Sequence, residues 1–187
     1  MWIAIILIVL VILILFIVGI YNKLVSLKMR VQNAWAQIDT QLKRRFDLIP
    51  NLVETIKGYT KHEEGTLTKV IEARNKYVEA SGNVEASAEA EKSLAGSLKQ
   101  LFALAESYPD LKANENFKEL QIELTGTEDK IAYSRQFYND TVTMYNEALM
   151  VFPNNIVVSL FGQGKFEPAK FFEIENAEER KNVKVQF

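Results

Sequence analysis

The side chains able to do chemistry are few in this chain of 187 residues, and their spacing is poor for it. The one histidine, His62, stands beside Glu63 and Glu64. A metal site on a helix needs a second histidine or carboxylate one turn away, and neither Glu-x-x-His nor His-Glu-x-x-His occurs. The trio reads instead as an exposed helix start, where acids favour the positive end of the helix dipole. Cysteine is absent, which excludes disulfides, thiol catalysis and zinc-thiolate sites together. A single histidine also makes Ser/His/Asp chemistry hard to build. Gly162 and Gly164 match only the opening half of a phosphate-binding loop and read as turn glycines. No catalytic residue, cofactor or metal site is expected.

A second polar set lies beside two apolar stripes: Asp39, Arg44, Arg45, Asp47 and Asn51 on one, Glu128, Arg135, Asn139, Asp140 and Asn146 on the other. If both stripes belong to antiparallel helices, facing residue numbers sum to about 176 in a bundle geometry. Asp39 then stands opposite Arg135, and Arg45 opposite Glu128. Ion pairs so placed would fix the register of two helices, a structural role for which buried polar groups have precedent.

The elements that carry these residues begin with an uncharged run from Trp2 to Tyr21, rich in Ile, Leu, Val and Phe. About 20 such residues span roughly 30 Å as a helix, enough to cross a bilayer. No basic residue precedes the run, as a cleaved signal peptide would require, so residues 1–22 are expected to form a retained anchor. Trp2 and Tyr21 frame it at headgroup level. Lys23, Lys28 and Arg30 follow, and the other flank has no Lys or Arg. The positive-inside rule then predicts a short outer N-terminus and a cytoplasmic domain. A net charge of -2 and a pI near 5.6 argue against nucleic acid as a partner.

Beyond the anchor, apolar residues recur at steps of three and four: Leu24, Leu27, Val31, Ala34, Trp35, Ile38, Leu42, Ile49, Leu52 and Ile56. Residues 23–153 are expected to form one all-α bundle about one core, with helices near 23–57, 61–80, 88–108 and 114–152. The transmembrane helix is expected to run directly into the first of them, and Pro50 to kink it. Thr60 and Glu63 offer a capping box for the second, Ser81–Ser87 reads as a loop, and Pro109–Asp110 as a tight reversing turn. The last helix carries a heptad row, Phe117, Leu124, Ile131, Tyr138, Tyr145 and Phe152. An up-and-down antiparallel four-helix bundle fits these lengths. Because the apolar beat passes Gly58 in phase, a three-helix bundle with one long kinked first helix stays open. Residues 154–187 form an apolar tail with Ile156, Val157, Leu160, Phe161, Phe166, Phe171 and Phe172, then an alternating Val183, Val185 and Phe187. So much apolar surface is expected to fold onto the bundle, or else to lie in the membrane interface or on another subunit.

Taken residue by residue, the chain resembles the LemA family of bacterial membrane proteins. The resemblance runs from Tyr21 and Asn22 through Ala34–Asp39, Leu42–Arg45 and Asp47–Glu54. It resumes at Tyr108–Phe117, Thr127, Glu128, Arg135, Tyr138–Asp140, Tyr145 and Asn146, and ends at Phe152, Pro153 and Asn155. Asp129 stands where the family more often has asparagine. The resemblance implies a protein of the bacterial inner membrane, with no established enzymatic activity and no catalytic residue to carry over, and some relatives are associated with organising internal membranes. The expectation is a non-enzymatic scaffold or adaptor, self-associating through bundle and tail, with membrane lipid, further copies of the chain or another membrane protein as partners. The alternative is a membrane-shaping protein whose tail binds the lipid interface.

Overall fold

The computed structural model describes residues 1–60, 63–80, 82–162 and 164–173. His62 and the alternating Val183, Val185 and Phe187 lie outside the described residues. All elements among them are helical: α1 (Trp2–Lys57), α2 (Glu64–Ala80), α3 (Val84–Ala105), α4 (Pro109–Ala113), α5 (Glu115–Met150) and α6 (Asn154–Phe161). The chain is thus an all-α protein in which a long N-terminal helix, apolar at its start, is followed by a helical bundle.

The anchor and the first bundle helix are one element, since nothing between Tyr21 and Leu24 can stop a helix. α1 runs on through Pro50, which lies on its exposed side. It stops at Lys57, where Gly58 follows and the Tyr59 and Thr60 amides both close on the Ile56 carbonyl. That break before α2 removes the three-helix alternative. The expected capping box is not what ends the gap: the Thr60 hydroxyl donates back to the Ile56 carbonyl at 3.2 Å.

α3 starts earlier than expected. Asn83 accepts the Ala86 amide at 3.1 Å through its side chain, and this cap converts Val84–Ser87 from loop to helix. α3 ends at Ala105, three residues before the expected stop. The expected turn at Pro109–Asp110 is the start of the one-turn helix α4, with proline at N1, where its missing N–H is harmless. Asn114 then caps α5 by accepting the Phe117 amide at 2.9 Å.

Length alone predicts one core, yet the described residues gather into two compact units, 1–41 with 130–171, and 42–129 with 172 and 173. α1 has 56 residues and α5 has 36, roughly 84 and 54 Å at 1.5 Å per residue, longer than one small core can cover. In the first unit Leu24, Leu27, Val31, Ala34 and Ile38 of α1 are buried with Ile131, Tyr138, Val142 and Tyr145 of α5, and Trp35 packs on Tyr138 with ring centroids 5.9 Å apart. In the second, α2 and α3 pack together, and the core takes in Leu42, Phe46, Ile49 and Leu52 from α1, Leu94, Leu98 and Leu101 from α3, and Phe117 and Leu124 from α5. Phe46 stacks flat on Tyr77 at 4.1 Å.

Candidate functional site

The second unit buries one charged cluster. Arg45 is 2% exposed and Glu91 of α3 is 3% exposed. The Arg45 guanidinium donates from Nη1 to Glu91 Oε1, and its Nη2 lies 3.4 Å from Glu128 Oε2 on α5. Glu128 is mostly open to solvent, so the buried partner of Arg45 is Glu91. The next residue, Arg44, reaches Glu123 at 3.4 Å on the exposed side. Three helices are thereby tied through one side chain whose planar fork makes several bonds at once. Ser87, one turn before Glu91, is fully buried, and its hydroxyl has no partner among the described residues. This cluster ties α1, α3 and α5 together in the second unit.

Glu91 escaped the sequence reading, although a signal was there. Ser87, Glu91, Leu94, Leu98, Leu101 and Ala105 run at steps of three and four, so the acid sits in phase with the buried stripe. Arg45 and Glu128 are brought together. In the second unit Arg45 meets Glu128 and Asn114, at the start of α5, bonds Tyr59 just beyond α1, so the two helices run antiparallel there, offset by less than one turn from the expected register of about 176; in the first unit Trp35 meets Tyr138. Asp39 and Arg135 are each half-buried in the first unit, one on each helix.

In the first unit the polar residues of α5 grip the chain beyond α6. The Asn146 amide donates to the Ala169 carbonyl at 3.0 Å and accepts the Ala169 amide at 2.8 Å. The Tyr138 hydroxyl donates to the Lys170 carbonyl at 2.8 Å, and Lys28 Nζ to the Lys165 carbonyl at 2.6 Å. Burial raises the Tyr138 phenol above its ordinary pKa, and burial with the nearby Glu167 carboxylate raises that of Tyr145. The tail residues divide. Val157, Phe166 and Phe172 are buried, while Ile156, Leu160, Phe161 and Phe171 remain exposed.

Besides these residues of α6, two further apolar surfaces are open among the described residues. One is the start of α1, with mean hydropathy 3.8 over its most apolar 18 residues and only 6% of that window buried, long and apolar enough to cross a membrane. Trp2 is exposed at its start and Tyr21 half-buried at its end. The other is a row on α5, Tyr133, Phe137 and Met144, continued by Val151 just past its end, spaced by four and seven residues and exposed. At 100° per residue this row lies on a flank of α5, roughly 100–120° around the helix from the buried row of Ile131, Tyr138 and Tyr145. No cluster of three or more His, Cys, Asp or Glu suited to a metal gathers among the described residues.

A long N-terminal helix, apolar at its start and consistent with a membrane anchor, runs into a helical bundle, and together they define an all-α protein. The LemA family profile matches residues 34–187, and the chain belongs to the LemA family. Among curated proteins it is similar to Protein LemA of Metamycoplasma hominis, 31% identical over 144 residues, which cover 75% of this chain and 64% of that protein. It is also similar to magnetosome protein MamQ 2 of Paramagnetospirillum magneticum, 23% identical over 178 residues (82% of this chain, 64% of that protein). MamQ of Magnetospirillum gryphiswaldense is 23% identical over 172 residues (79% and 63%). The chain thus spans just under two thirds of the length of these relatives.

Proposed function

We propose that this chain is a non-catalytic scaffold of the bacterial inner membrane, anchored by α1 with its bundle in the cytoplasm, which assembles with further copies of itself through the exposed row of α5. The observation that carries the reading is that row. Tyr133, Phe137 and Met144 of α5, continued by Val151 just beyond its end, repeat at helical spacing on an exposed flank beside the buried row, and apolar side chains so aligned suit a helix-pairing seam rather than scattered surface residues. The lysines and arginines after Tyr21 support the cytoplasmic orientation. A pairing of Asp39 with Arg135 in the first unit belongs to the same proposal, fixing the register that presents the row.

Because the natural chain has no cysteine, the seam is testable in native membranes. Full-length Met144→Cys should form a disulfide-linked dimer on mild oxidation, while Thr143→Cys, exposed on the flank of the same turn, should not. Absence of cross-linking at both positions would sink the self-association. The membrane-shaping alternative is favoured by a different observation, the exposed Ile156, Leu160 and Phe161 of α6. It requires that replacing these three by serine abolish liposome deformation without changing oligomer mass.

A further inference from the structure

The end of the anchor forms one wall of a groove in the first unit. Ile14, Ile17, Val18 and Tyr21 line it from α1, Phe161 from α6, and Lys165 stands at its polar end, enclosing about 460 Å³. The far wall is held rigidly. Gly162 ends α6 where a Cβ would lie 2.6 Å from the Val158 carbonyl oxygen and 2.8 Å from the Phe166 ring, so only glycine lets the chain pass so closely. Gly164 takes a left-handed φ of +73°, and the Lys165 and Phe166 amides both close on the Gly162 carbonyl. Phe166 then packs edge-on against Tyr21 at 5.4 Å, and Lys28 fastens the Lys165 carbonyl. The Lys165 side chain is left exposed, and no ion pair engages it among the described residues.

From these positions we infer that the groove is a binding site for an anionic glycerophospholipid, with an acyl chain along Ile14, Ile17, Val18 and Phe161 and the headgroup phosphate on Lys165. This rests on the membrane anchorage of α1 but not on self-association. Depth selects the occupant. Ile14 to Val18 belong to the last turns of the apolar run and Tyr21 to its headgroup end, so the groove opens into hydrocarbon at one end and into the headgroup layer at the other. At that depth a lipid is the available apolar ligand, and the volume falls within the roughly 300–1,000 Å³ of small-ligand sites. Lysine binds phosphate as a point charge. Lys23, Lys28 and Arg30 lie within the following turns of α1 and add positive potential; Glu167 opposes it from the segment after Lys165.

The test is native mass spectrometry of the full-length protein released from nanodiscs of equal phosphatidylglycerol and phosphatidylcholine. The wild type should retain phosphatidylglycerol adducts in excess, counted per protomer at whatever oligomer mass is found. Lys165→Gln, at an exposed position, should reduce that excess about fivefold, the worth of one basic side chain at an anionic surface. Lys165→Arg should keep it. Equal retention of both lipids by the wild type, or an unchanged excess in Lys165→Gln, overturns the site. A protein that does not enter the disc at all overturns the anchorage as well, so the two failures are distinguishable.

Discussion

Replacing Arg45 by methionine isolates the contribution of the buried ion pair. The substitution keeps an unbranched apolar stem in the core but strands the Glu91 carboxylate, 3% exposed, without its guanidinium. Breaking one partner of such a pair typically destabilises by roughly 3–5 kcal/mol. In a chain of this size each kcal/mol shifts Tm by about 2–4 °C, so Arg45→Met should lower Tm by about 6–20 °C. Arg45→Met combined with Glu91→Leu removes both charges, and burial of well-packed apolar pairs in place of ion pairs is neutral or stabilising, so the double variant should melt near or above the wild type. Glu128→Ala touches only the solvent-facing partner and should cost about 0–1 kcal/mol. Geometry also decides between two charge swaps. Arg45→Glu with Glu91→Arg should recover folding, whereas Arg45→Glu with Glu128→Arg should not, because the new acid would face Glu91. Thermal melts of the full-length protein in mild detergent, followed by circular dichroism at the helical band, read all five variants. A Tm loss below about 2 °C for Arg45→Met, or a double variant as unstable as the single, would refute the reasoning.

Other outcomes follow from the grip on the chain beyond α6 and from the tyrosines. Asn146→Ala removes both hydrogen bonds to Ala169 and should loosen residues 164–170 by about 1–3 kcal/mol, seen as faster amide exchange there and not in α3. Tyr145→Phe deletes a buried hydroxyl that has no partner among the described residues, and should be neutral or stabilising by up to about 1 kcal/mol in the same melts. The raised phenol pKa values of Tyr138 and Tyr145 mean that the folded chain holds its protons where the unfolded chain releases them. Their contribution is therefore complete below pH 10.0 and lost as pH rises through the folded values; a Tyr138→Phe/Tyr145→Phe double variant should flatten the alkaline fall in Tm. Gly162→Ala pushes a methyl into the Val158 carbonyl and the Phe166 ring and should destabilise by about 1–3 kcal/mol, with the Tyr21–Phe166 contact the first to open.

The parts of the fold legible in the sequence are those written by periodicity. The uncharged run to Tyr21, the three/four beat of α1 and the heptad row of α5 each depend only on which residues recur, and the helices they predict are present. What was illegible depended on single hydrogen bonds. Asn83 turns an apparently loop-like Val84–Ser87 into the first turn of α3, and Pro109 starts a helix where dipeptide chemistry alone suggests a turn. Arg45 and Glu128 were legible as a pair because both border long stripes. Glu91 was not, because an acid inside a stripe looks like an interruption until its partner is known. Asn146 read as one more polar residue near a stripe, since its partner is a backbone carbonyl and amide 23 residues away and backbone groups leave no trace in side-chain patterns. The tail's apolar residues were legible as needing cover. Which of them the fold buries, Val157, Phe166 and Phe172, depended on the turn that Gly162 and Gly164 permit.

Self-association through α5 is tested most directly by the mass of the full-length protein in mild detergent, measured by mass photometry for the wild type and for a Phe137→Glu/Met144→Glu variant. Both substitutions fall on exposed positions, so the fold should survive them. The account predicts a discrete oligomer for the wild type that falls to single protomers in the variant. A wild type that is monomeric at every concentration, or an oligomer unchanged by the two glutamates, would contradict it.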